Sequence, residues 1–102
     1  MKQEDLVLAG PYGPITVPGT VLAATVLGAA GRVPGVRARR PRRGIGVEID
    51  DGRALVRVEI AARRGEPLAA VGRSVQEAVR EALAAMFALE TTVDVAIEEV
   101  GP

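Results

Sequence analysis

The chain contains no cysteine and no histidine. Without cysteine it can form no disulfide and hold no thiolate-bound metal, and without either residue the usual zinc and copper ligand sets are excluded. Asparagine and tryptophan are missing too, and serine and lysine occur once each, as Ser74 and Lys2. Nucleophilic or general-base chemistry would have to come from carboxylates and threonines, so an enzyme is the disfavoured class. No catalytic residue, cofactor, metal or small-molecule substrate is expected. A net charge is also lacking: thirteen basic and thirteen acidic residues cancel, and no global field calls for nucleic acid. The missing cysteines fit a reducing, cytoplasmic compartment.

What is present is organised around Pro67 to Phe87. Leu68, Val71, Val75, Val79, Ala82 and Met86 recur at steps of three or four, and with Gly72, Ala78 and Leu83 they fill one stripe of a helical wheel. Arg73, Gln76, Glu77, Arg80 and Glu81 lie opposite, so the spacing predicts an amphipathic helix of roughly 30 Å with one buried face. Pro67 suits its first turn, where a missing N–H costs nothing. At 102 residues the chain is read as a single domain, with residues 1–10 as an N-terminal tail, ordered in part or not at all, and 37–44 as an arginine-rich loop.

From Leu6 to Gly31 there is no charged residue. A signal peptide does not fit the opening Met-Lys-Gln-Glu-Asp, and Pro18-Gly19 leaves only about 13 residues before Arg32, short of the roughly 20 that a spanning helix needs. The pattern predicts a strand at Ile15 to Val17 and a helix from Gly19 to Arg32, stopped by Pro34 and Gly35. That helix is apolar nearly all round, and its surface around Ala23, Leu27 and Ala30 is a candidate self-association face. An alanine-rich face that simply tolerates water is the alternative.

Five arginines follow within seven residues, Arg37, Arg39, Arg40, Arg42 and Arg43, and Pro41 and Gly44 argue for an exposed loop. They are either a solvated connector or an anion-contacting surface for acidic lipid headgroups or an acidic partner. No aromatic stands beside them, so nucleic acid is disfavoured, and any binding to it would be phosphate-driven and salt-sensitive.

From Ile45 to Ala62 the period becomes two. A two-residue turn at Asp51-Gly52 would pair Ile49 with Ala54, Val47 with Val56 and Ile45 with Val58, putting every apolar side chain on one face. Asp50 and Asp51 could suggest a metal or acid–base pair, but Asp-Gly is ordinary turn chemistry and no third ligand stands at useful spacing. Thr92 to Val100 alternates as one more strand. The expectation is an α+β domain in the order β-α-β-β-α-β, with two helices on one face of a small mixed sheet in a split strand–helix–strand arrangement.

Ile15-Thr16-Val17, Val33-Pro34-Gly35-Val36, Asp51-Gly52, Val75-Gln76-Glu77-Ala78-Val79 and Val93-Asp94-Val95, in that order and spacing, resemble the bacterial alkaline-shock, or envelope-stress-response, proteins. The arginine-rich loop departs from that pattern. The resemblance implies a non-catalytic homo-oligomer on the cytoplasmic side of the membrane, held by a small membrane-anchor partner and linked to envelope stress or lipid-synthetic enzymes.

Overall fold

The computed structural model describes residues 1–37 and 44–100. Eight elements follow in order: β1 (Leu6–Gly10), β2 (Gly13–Val17), α1 (Gly19–Gly31), β3 (Val36–Arg37), β4 (Ile45–Asp50), β5 (Arg53–Arg63), α2 (Leu68–Phe87) and β6 (Glu90–Val100). The fold is α+β, as expected from the two periodicities.

The β4–β5 hairpin has the register that the sequence requires, with Ile45 opposite Val58, Val47 opposite Val56 and Ile49 opposite Ala54. Asp51 and Gly52 both have positive φ, 47° and 75°, which is the mirror-image turn that matches strand twist. β6 runs parallel to β5 along its whole length, from Arg53 opposite Glu90 to Arg63 opposite Val100. β3 and β4 therefore share the other edge of β5, at Ala61–Ala62 and Arg53–Val58 respectively. The parallel pair is adjacent, with no strand inserted between its members, so the split arrangement does not form.

Both helices cover one face of this sheet, α1 against β4 and α2 against β6, and they also pack on each other. Val71, Val75, Val79 and Leu83 point inward from α2 onto Val47, Val56, Val58 and Val93. The opposite face is open to solvent and carries the cross-strand pairs Arg53–Glu90 (3.5 Å) and Arg57–Asp94 (4.0 Å), as period-two alternation demands. α2 ends on Ala88 in the left-handed conformation, where the Ala88 and Leu89 N–H groups return to the Ala84 and Leu83 carbonyls.

Two expectations need correction. Residues 1–10 are not a tail: Lys2 to Glu4 pair in parallel with β4 through Val47 N–H to the Lys2 carbonyl (2.8 Å) and Glu4 N–H to the Val47 carbonyl (2.9 Å). Beyond Asp5 the chain becomes β1. The strand at Ile15 to Val17 exists as β2, but it belongs to a separate two-stranded sheet with β1. Its interleaved proline and glycine, which look like loop punctuation, are the turn and ends of a hairpin.

Candidate interaction surfaces

The polar residues singled out for chemistry do not converge. Asp50 is exposed opposite Arg53, and Asp51 occupies the turn. Ser74 is exposed on α2 and borders a groove of about 450 Å³ between the two helices, with Arg32 and Glu81 on its rim. A second groove, of about 480 Å³, runs along the outer side of α2 towards the start of β6 and is lined by Glu77, Arg80, Glu81, Ala84, Leu89 and Thr91, among others. The Thr91 hydroxyl is fully buried and has no hydrogen-bond partner among the described residues.

Glu4 is held by two contacts. The Ile49 N–H donates to its Oε1 at 2.8 Å, and the Lys2 ammonium lies 3.4 Å from its Oε2. The first of these contacts, then the second, holds the carboxyl below its ordinary value. The contact ties the N-terminal segment to β4. Across the same junction the Asp5 carboxylate accepts the Gly19 N–H at 2.8 Å, capping α1, whose own N-cap is Pro18 with no side-chain acceptor. Gly19 must be glycine there, because a Cβ would run into the Gln3 carbonyl.

The proposed self-association face on α1 is largely not a surface. Ala23 and Ala30 are buried and Leu27 is half-buried, because α1 is covered by β4 on one side and α2 on another. Of the five arginines, Arg37 lies exposed in β3; Arg39, Arg40, Arg42 and Arg43 fall outside the described residues. Arg63 and Arg64 stand exposed at the same end of the sheet as Arg37, Arg64 with its Nε 3.5 Å from Glu99 Oε1. The sequence reading missed both as members of this basic end, since only the β3–β5 pairing brings them to it.

The opposite end of the molecule carries an apolar arm. Hairpin β1–β2 is held to the body by Leu6, Leu8 and Val17, which share one of its faces and pack on the core. The rest of it stands clear as an arm. Val7 is 63% exposed, Ile15 51% and Tyr12, at the tip, fully exposed. Val21 in the first turn of α1 and Met86 in the last turn of α2, 43% and 64% exposed, lie at this end too. Met86 falls within the core stripe by helical angle, but in the last turn of α2 it is Phe87, half-buried, that packs on the core.

The long axis of the molecule, 53 Å against 21 and 18 Å, matches this description. Eleven residues of β5 or β6 span about 36 Å and a five-residue arm about 17 Å more. A notch of about 600 Å³ separates the arm from the Asp51-Gly52 turn, bounded by Glu4, Leu6, Val7 and Ile49. Among the described residues no helix is long and apolar enough to cross a membrane.

No family model matches this chain, and no curated protein matches it either. Its fold is that of the MamM C-terminal domain. That domain superposes with a TM-score of 0.55 at 19% identity, over 78% of this chain and 95% of the other. Variants in a copper form and a nickel form give the same TM-score and identity over 94% and 95% of their chains. The likeness is one of fold. It corrects the resemblance to alkaline-shock proteins, because no model of that family matches and the solved structures that do are of a different protein. The envelope-stress role and the membrane-anchor partner rested on that resemblance and fall with it. The copper and nickel forms also lend no support to the expectation that no small ligand is taken.

Proposed function

We propose that this chain is a non-catalytic interaction module that works by self-association in a cytoplasmic setting. The observation that carries this reading is the concentration of exposed apolar side chains at one end: Val7, Tyr12, Ile15, Val21 and Met86 are five of the six large apolar residues that are exposed among the described residues, Met1 being the other. An interaction module needs a defined contact surface and a rigid body behind it, and the β4–β5–β6 sheet with its two helices supplies the body. Metal binding of the kind named for the MamM forms finds neither imidazole nor thiolate here, since the chain has no His and no Cys, and no three carboxylates converge among the described residues.

Sedimentation of the purified chain across a dilution series tests the reading, with a reversible shift from monomer to a defined oligomer expected at tens of micromolar. A steady turnover lost on changing Asp50 or Ser74 would overturn the non-catalytic half of it.

A further inference from the structure

The arm has two edges, and neither is hydrogen-bonded to another described strand. β2 contains Pro14, which removes an N–H from its ladder, whereas β1 carries one at every residue. The free edge of β1 faces the notch beside the Asp51-Gly52 turn. The edge of β6, the longer alternative, is blunted: the Gln76 side-chain amide already donates to the Val93 carbonyl (2.9 Å), and Glu90, Asp94 and Glu99 line the strand.

Resting on the self-association reading, we infer that two copies of this chain pair through their β1 edges, antiparallel across a twofold axis. The two arms then form one four-stranded ribbon in the order β2-β1-β1-β2, and each Tyr12 tip arrives at the partner's notch. Such a contact is isologous, the same surface on both copies, as a twofold requires. It also uses backbone groups that water alone now satisfies.

Area and charge single out a second copy as the occupant. The surface of the chain is 6554 Å², against about 5,500 Å² for a compact monomer of 10.6 kDa. The excess of about 1,000 Å², to which the protruding arm contributes, is of the order of the roughly 800 Å² that each partner of a standard interface buries. A membrane surface fits less well, because Glu4, Asp5, Asp50, Asp51 and Glu90 surround the base of the arm with only Lys2 and Arg53 against them, and anionic headgroups repel such a collar. Between two copies the collars stay about 17 Å apart, the length of the arm, beyond the screening length of roughly 8–10 Å. The tips themselves are uncharged.

The test uses the full chain. Ala9→Pro breaks the β1 edge and Tyr12→Asp charges the tip, and because both sites lie outside the core, far-UV dichroism and cooperative melting should remain those of the wild type when all are monomeric. In sedimentation each variant should raise the dimer dissociation constant at least tenfold. As the chain has no cysteine, Val7→Cys and Ala9→Cys, which face each other across the twofold when each tip reaches the partner's notch, should form a mixed disulfide when the two variants are oxidised together, while Ala69→Cys at the opposite end of α2 should not cross-link. A wild-type dimer that both arm variants leave intact and that cross-links no better through β1 than through Ala69→Cys overturns the β1 pairing and leaves self-association standing. A wild type that stays monomeric at about 100 µM overturns both. Tyr12-dependent binding of a monomer to vesicles of phosphatidylcholine and phosphatidylserine would reassign the arm to a membrane and overturn the pairing as well.

Discussion

Thr91 and Glu4 show how single atoms answer to their surroundings. Thr91 faces the core side of β6, where its methyl packs and its hydroxyl finds no partner among the described residues. A buried unpaired hydroxyl costs about 1–3 kcal/mol, so Thr91→Val, which keeps the shape, should raise stability by about 1 kcal/mol, seen as a Tm increase of roughly 4–8 °C in calorimetry. Glu4 works in the other direction, through a charge that the fold favours. Its folded value is depressed by the Ile49 N–H and by Lys2, so its contribution is present above the unfolded carboxyl value of about 4.3 and is lost as pH falls through the lower, folded value. Glu4→Gln keeps an acceptor for Ile49 but cannot titrate. The variant should therefore melt below the wild type at neutral pH, show a shallower fall of Tm below about pH 4.3 and converge on the wild type in acid.

At the scale of elements, each helix solves its end problem differently. The C-terminus of α2 is closed by its own chain through Ala88 and Leu89, so its boundary needs nothing from elsewhere. The N-terminus of α1 borrows Asp5, fourteen residues earlier in the chain. The carboxylate meets an unpaired N–H at the positive end of the helix dipole. Asp5→Ala should cost about 1 kcal/mol in chemical denaturation, and because the same junction anchors the arm, it should also increase amide exchange in β1 ahead of β5. Uniform exchange in both strands would show that the arm is held independently of the cap.

For the whole molecule, elongation is the property that matters. The radius of gyration is 14.1 Å, where about 13 Å is usual at this length, and the surplus lies along the axis of the arm. A chain that buries its arm only by association must gain stability from concentration. Tm should therefore rise measurably between about 1 µM and 100 µM for the wild type, while Tyr12→Asp should give a flat line. Equal slopes for the two proteins would place the association elsewhere on the surface.

The α+β class, the β4–β5 register and the stripe of α2 were legible in the sequence because each is written within a few neighbouring residues: Asp51-Gly52 sets a turn, and alternation or a three-to-four spacing then decides which side chains point together. The same local reasoning failed for α1, where Ala23 and Ala30 look like free surface until α2 and β4 are placed against them. It failed for Met86 as well, which has the right angle for the core and is nevertheless exposed, while its neighbour Phe87 packs there. The arm was hidden for a related reason, since residues 1–10 read as a tail and Ile15 to Val17 as a strand without a partner unless Glu4 is known to clamp onto Ile49, 45 residues away. Period and turn chemistry are properties of short stretches, which a sequence states directly; which face is covered, and where the chain leaves its own core, depends on contacts between distant residues, and these only the folded chain decides.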